Sequence, residues 1–446
     1  MIKTKPKPEK VSVSILSPVH VGSGEKYGKM DFLVRDIREN PQKIGIINFD
    51  ILASVLGKDV NDLPAWIEEQ RYPDIFYFLK ELNKYDIKDK LFKQSLYQMP
   101  FYFREDKNNK KFFRDISVCI KDMKRRPYIP GTELKGAIRT AVLYNLLQDP
   151  DTFSYLKGLL LDFRKEYEPF LDLVMDKKDH KWNNALKPAD VNNISGDYWR
   201  RLPLWLKKDM VNGYLRVATL KKELYNKMTK LKVEERLIAK ALRVPGKNDA
   251  KYDCMKFVQV SDTEPFRQSD MMAAEVMVIN TGPVPLCEEF IRESSSTCTF
   301  SLEDNNCKWE KLSFQDCQKK VLSREELFTM IYNFSARLLQ EELVYFTDGP
   351  GKQYTQIREH LERISRANSA GSPVLRLGKD EGFFSLTIGL CVKDKDEDLY
   401  YKTIVPVTKN TSYSNPPPGF PKTRKVIDYG NDSFAPIGWI QFNREG

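Results

Sequence analysis

Two stretches of this chain repeat one order of elements: a short alternating strand, later a long helix with a marked start, then further strands, with a glycine-rich turn in each. That repetition restricts the fold more than any single motif, because it calls for a duplicated β-α-β-β-α-β unit and an α+β class. In the first stretch Val11, Val13 and Ile15 alternate with Ser12 and Ser14 and lead to Gly22-Ser23-Gly24, which predicts a strand ending in a glycine turn. A hairpin is expected from strands at 31–34 and 43–48, then helices at 50–56 and 74–82 and a long helix from Thr132 to about 147. Residues 153–244 read as mostly helical, with Trp182, Trp199 and Trp205 as core anchors and breaks at Pro188, Pro203 and Pro245. A strand at 256–262 closes this unit. The second stretch opens with a strand at 274–280. Its main helix carries Ser323 and Glu326 at capping-box spacing and an apolar stripe of Leu327, Ile331, Phe334 and Leu338. The glycine turn 378–382 then leads to an expected strand at 385–391, and an apolar piece at 436–442 ends the pattern.

The segment Tyr128-Ile129-Pro130-Gly131-Thr132-Glu133-Leu134-Lys135-Gly136-Ala137-Ile138-Arg139 has the chemistry of an anion-receiving helix start. Thr132 is the expected N-cap, and the first turn leaves backbone N–H groups unpaired at the positive end of the dipole. Lys135 and Arg139 share a face, a placement that costs a few tenths of a kcal/mol unless an anion sits between them. Gly136 lets a backbone approach. The alternative is a solvated basic turn, with Gly136 packed on a neighbouring strand.

At 446 residues the chain exceeds the usual limit of one hydrophobic core, which predicts two domains. With 41% hydrophobic and 30% charged residues it is neither disordered nor a membrane protein, and the lysine-rich start lacks the apolar run of a secretory signal, so a cytoplasmic location is expected. The net charge of +10 favours a polyanionic partner. Basic residues outnumber acidic ones 12 to 5 between Arg216 and Lys256, a run best read as the wet face of helices. Lys409, Lys422, Arg424 and Lys425 form a second run free of acids. Seven cysteines without a C-x-x-C pair indicate neither a disulfide framework nor zinc. Asp176, Asp179 and His180 lie among lysines as an exposed loop, so neither a metal nor a cofactor is expected.

Ser17-Pro18-Val19-His20-Val21-Gly22-Ser23-Gly24-Glu25, the segment 129–139, Val260-Ser261-Asp262 and the loop from Gly378 to Gly382 together resemble the RAMP superfamily of CRISPR-associated proteins. The likeness is to the Csm subunits that cap the crRNA 3′ end in type III-A effector complexes. It implies two ferredoxin-like, RRM-related RAMP domains, 1–265 with a large helical insertion and 266–446. It also implies crRNA and an adjacent Csm backbone subunit as partners, with a host trimming ribonuclease at the 3′ end. The resemblance and the turn chemistry nominate His20, Gly22, Ser23, Gly24, Gly131, Thr132, Lys135, Gly136, Arg139, Gly378, Lys379 and Gly382 as RNA-binding residues. Asp380 and Glu381 interrupt the late glycine loop with two acids, which is a departure from the family pattern. Phe and Tyr, 25 and 21 in number, supply candidate stacking partners for single-stranded RNA.

The leading expectation is a non-catalytic RNA-binding subunit. Two alternatives stand beside it. One is a metal-independent endoribonuclease acting on repeat RNA with His20 as base, since its unperturbed pKa suits the task. The other is a protein-only scaffold that recruits a trimming nuclease through exposed aromatics or the segment 415–421.

Overall fold

The strand Glu9–Ile15 occupies the middle of a five-stranded antiparallel sheet, ordered Val374–Arg376, Trp439–Arg444, Glu9–Ile15, Ser295–Leu302, Val258–Val260. Its alternation explains the placement: Val11, Val13 and Ile15 are buried on one face, and Ser12 and Ser14 lie on the other. The computed structural model describes residues 8–35, 41–102, 115–176, 200, 203–212, 217–247, 249–280, 286–302, 314–347, 349–408 and 420–444. This sheet takes strands from both the early and the late parts of the chain.

A second sheet runs Gly22–Tyr27, Ile116–Cys119, Leu286–Ile291, Met271–Val278, Tyr97–Tyr102, Gln42–Ile46, Phe32–Arg35, with Lys425–Asp428 also paired to Met271–Val278. The hairpin Phe32–Arg35 with Gln42–Ile46 is the one expected from the sequence. Helices Phe49–Leu56 and Ile75–Glu81 cover it, capped by the side chains of Asn48 and Asp74. The fold is α+β, as expected.

Two long helices pack against the first sheet and each other. Helix Gly131–Leu146 buries Leu134, Ile138, Ala141 and Val142, and helix Arg324–Tyr345 buries Leu327, Ile331, Phe334 and Leu338. Burying each large apolar side chain contributes roughly 1.5–3 kcal/mol, against about 1 kcal/mol for a cap, so the stripes rather than the caps hold these helices. Asn145 Nδ2 donates to Met330 O at 2.7 Å across the pair. Helices Pro150–Asp176, Leu204–Val211, Val217–Lys230 and Val233–Leu242 form the expected helical insertion, much of it around a smaller core of Phe163, Phe170, Leu206 and Leu220.

Several local expectations are corrected. Thr132 does not cap its helix: Pro130 is the cap residue, without a side-chain bond, and the helix starts at Gly131. The Gly131 N–H donates instead to Asp262 Oδ1 at 2.8 Å, because Gly131 is pressed onto the strand end at Val260 and Ser261. Gly22-Ser23-Gly24 is not a turn but the start of a strand paired with Ile116–Cys119 across a bulge, with Gly24 at φ +88°. The expected strand at 385–391 is replaced by two short helices, Phe383–Leu386 and Gly389–Lys395. A short apolar run reads alike in either form, and burial of Phe384, Leu390, Cys391 and Val392 decided it. Ser323 Oγ accepts from the Glu326 N–H at 3.5 Å, which is half of the expected capping box.

Trp182, Trp199, Asp179 and His180 lie outside the described residues, as does most of 415–421, and Trp205 sits in helix Leu204–Val211. Among the described residues no His, Cys, Asp or Glu group suits a metal, six cysteines are free thiols, and no helix is long and apolar enough to cross a membrane.

Gly131 and Gly136 differ in a way that a melting experiment resolves. A Cβ on Gly131 would stand 2.3 Å from Val260 O, whereas one on Gly136 meets nothing within 4 Å. Gly131→Ala is expected to destabilise the fold by about 1–3 kcal/mol through overpacking. Gly136→Ala is expected to stabilise it by up to about 1 kcal/mol through helix propensity, as read by denaturant unfolding.

Candidate nucleic-acid interface

Beyond Ile15 the chain is held by three successive contacts. Ser17 Oγ accepts from the Trp439 N–H at 3.0 Å, Pro18 O accepts from the Gly438 N–H at 2.8 Å, and Val19 exchanges both backbone bonds with Ile291. His20 O then accepts from the Lys379 N–H at 3.0 Å. This closeness requires glycine: a Cβ on Gly378, at φ +96°, would lie 2.6 Å from His20 O, and one on Gly438, at φ +91°, would lie 2.5 Å from Leu377 O. The early and late glycine segments, more than three hundred and fifty residues apart in sequence, are therefore one junction.

The junction borders a cleft of about 510 Å³ lined by His20, Gly22, Gly24, Glu25, Lys26, Ser117, Glu133, Gly378, Lys379 and Glu381. Gly22, Ser23, Gly24, Lys379 and Gly382 are exposed, while His20 and Gly378 are buried. Ser23 Oγ donates to Val118 O at 3.2 Å.

His20 is 1% exposed, and its Nδ1 donates to Glu289 O at 2.7 Å. Burial pushes the imidazole down to about 4, against the opposing pull of that hydrogen bond, so the ring is neutral near pH 7. Nε2 then carries a lone pair, 4.0 Å from Glu288 Oε2 and without a hydrogen-bond partner.

Beneath the junction lies a buried charge cluster. Lys379 Nζ pairs with Glu288 Oε1 at 2.5 Å and donates to Ser117 Oγ at 3.1 Å, and Lys425 pairs with Asp380. Burial and then the Asp380 charge push Glu288 up to about 7, and a proton on Glu288 allows the two carboxyls to hydrogen-bond. Glu381 is pushed up to about 8 by burial, with Arg376 opposing and Glu133 reinforcing. Arg376 itself is anchored inside, sharing buried Glu342 with Arg424 at 3.2 and 2.6 Å. The two acids that depart from the family pattern are thus internal groups. Asp380 holds Lys425, and Glu381 stands protonated at neutral pH.

The helix start contributes differently from expectation. Gly131 is buried, Thr132 and Gly136 are exposed, and Lys135 and Arg139 are half-buried. Arg139 pairs with Asp253 at 2.6 Å, and the same carboxylate favours the Lys135 charge, whose pKa burial lowers. The anion beside Lys135 and Arg139 is Asp253, and the anion at the helix N-terminus is Asp262. From this turn Glu133 reaches the cleft. The family resemblance grouped Gly378 and Lys379 with His20, Gly22 and Gly24, and the cleft brings them together, but nothing in the sequence pointed to Lys26, Ser117, Glu288 or Asp253. Those lie on other elements, with no local signal that places them here. Asp262 was visible only as part of the motif Val260-Ser261-Asp262, whose physical partner proves to be Gly131.

Comparison with known proteins matches residues 12–425 to the RAMP superfamily. A curated relative, the CRISPR system Cms protein Csm5 of Methanocaldococcus jannaschii, is 22% identical over 97% of this chain and 88% of its own. Among solved structures, a chain of a Csm-crRNA-target RNA ternary complex of a type III-A CRISPR-Cas system superposes with a TM-score of 0.64 at 20% identity, covering 98% of this chain and all of that one. The crystal structure of T. onnurineus Csm5 gives 0.59 at 19% identity, covering 96% and 99%. With the match running through the early glycine strand, the helix start and the late glycine loop, this chain belongs to the RAMP superfamily.

Proposed function

We propose that this chain is the crRNA-binding subunit that caps the backbone filament of a type III-A Csm effector complex at the crRNA 3′ end and takes part in maturing that end. The observation that carries the proposal is the whole-chain likeness to a chain of a Csm-crRNA-target RNA complex, combined with an open cleft where the two glycine segments meet. In this proposal the exposed Gly22, Ser23, Gly24, Lys379 and Gly382 present backbone and cation to the sugar-phosphate chain, on a loop that buried Gly378 shapes. Lys26 and Lys135 add charge, while Gly131, Thr132, Gly136 and Arg139 shape the helix start. Neutral His20 orients the two loops. An adjacent Csm backbone subunit and a trimming ribonuclease are the further partners, and the cytoplasm is the location.

Lys26 and Lys135 are the informative cations, because their removal leaves no buried acid unpaired: among the described residues Lys26 pairs only with exposed Asp115, at 3.7 Å, and the acid near Lys135, Asp253, keeps Arg139. The variant Lys26→Ala/Lys135→Ala is expected to bind crRNA more weakly and to flatten the salt dependence by about 0.7 for each phosphate no longer neutralised. An unchanged slope in a binding titration counts against the proposal.

Glu381 makes the interaction pH-dependent. Below about pH 8 its carboxyl is protonated and the lysines face less opposing charge; above it a carboxylate repels the strand. RNA affinity is expected to fall several-fold between about pH 7 and pH 9, and Glu381→Gln is expected to reduce that fall, leaving the part due to Glu288.

One observation favours catalysis as a second reading: His20 lines the cleft, and its buried Nε2 is unprotonated and without a hydrogen-bond partner, the state a general base starts from. Repeat RNA incubated with the purified chain in EDTA is expected to stay intact. Cleavage that disappears in His20→Asn would replace the binding proposal with the nuclease one.

A further inference from the structure

Helix Val233–Leu242 buries Leu237, Ala241 and Leu242, which turns Arg236 and Lys240 outward on one face, a single turn apart. After Val244 the chain reverses at Pro245-Gly246, with Gly246 at φ +75°, and brings Lys247 into the same groove. The groove measures about 390 Å³ and is also bordered by Tyr155 and Gln315; among the described residues no carboxylate lines it. Four acids nearby are engaged elsewhere. Glu235 is held by Lys232 at 2.9 Å, Asp249 by Lys251 at 3.3 Å, and Asp253 by Arg139 at 2.6 Å. Asp149, the carboxylate whose charge reaches Lys240, accepts both the Thr152 N–H and Oγ–H at 2.8 Å. Arg236, Lys240 and Lys247 have no ion pair among the described residues. Like charges one helical turn apart repel by a few tenths of a kcal/mol even when exposed, and a third cation in the same groove adds to that repulsion, so an external anion is favoured there.

We propose that this groove is a second RNA-binding surface, which holds the sugar-phosphate backbone of a single strand and shares no residue with the glycine cleft. RNA is favoured over an acidic polypeptide because the cations alternate with aromatic rings. Tyr155 forms part of the wall, and Tyr252 adjoins the wall residue Lys247, with Lys247 and Lys251 at 5.6 and 5.1 Å from its ring centre. Basic side chains interleaved with aromatic faces are the composition that grips single strands. The proposal assigns a role to the helical insertion that the glycine cleft does not use.

The test compares the intact chain with Arg236→Gln/Lys240→Gln/Lys247→Gln, all three residues being exposed, by titrating a labelled single-stranded RNA at several salt concentrations. Thermal melts confirm that the variant is folded. The expected result is at least a tenfold loss of affinity at low salt and a slope flattened by about 2, from three phosphates at about 0.7 each. These changes are expected to add to those of Lys26→Ala/Lys135→Ala. If only the latter variant alters RNA binding, the cleft stands and the groove proposal is overturned. It is also overturned if labelled polyglutamate binds the intact chain as tightly as RNA and loses that binding in the triple variant, which would mark the groove as a dock for an acidic polypeptide.

Discussion

The pairing of Glu9–Ile15 with Trp439–Arg444 on one side and Ser295–Leu302 on the other is the contact on which the rest of the structure depends. It fastens an early strand between two late ones, in a register set by the burial of Val11, Val13 and Ile15. A shift of one residue would turn those side chains to the opposite face. With the register fixed, Ser17 and Pro18 meet Trp439 and Gly438, and His20 falls under Gly378. The glycines at 378 and 438 are there because backbone touches backbone. Their first role is packing, and the exposed edge that packing leaves is the cleft.

Charge in this protein is distributed in a way that its total does not disclose. Arg424 and Lys425, from a run free of acids, bond to Glu342 and Asp380 inside the fold, and Lys379 and Arg139 are matched to Glu288 and Asp253. Burying such pairs costs desolvation, which good geometry recovers only in part. What they supply is position: Glu342 ties helix Arg324–Tyr345 to Arg376 at the root of the late glycine loop, and Glu288 ties that loop to the second sheet. Among the described residues, Lys26, Lys135 and the Arg236, Lys240 and Lys247 groove have no ion pair to a buried carboxylate and are left wholly for an external anion, while exposed Lys379 can serve both.

Elements whose signal is local were legible from the residues alone. The paired strands Phe32–Arg35 and Gln42–Ile46, the strand through Val13 and the stripe Leu327, Ile331, Phe334 and Leu338 each depend on a periodicity contained within one segment. The failures share a cause. Thr132 has a good capping side chain, but Asp262, from a strand end more than a hundred residues later, reaches the helix start in its place. The run 385–391 suits a strand and a helix equally, and its packing made it helical. Lys135 and Arg139 do share a face, yet the anion beside them is a carboxylate of the chain itself.

The sequence by itself determined the α+β class, the helical insertion and the RAMP resemblance, because each of these is written in residue order and spacing along the chain, whereas the backbone approach expected at Gly136 falls instead at Gly131, Gly378 and Gly438. Tertiary structure alone decided which charges are satisfied internally and which face solvent. An ion pair between residues far apart in sequence leaves no periodic trace, and desolvation, which pushes His20 down to about 4 and Glu381 up to about 8, exists only once the chain has closed around them.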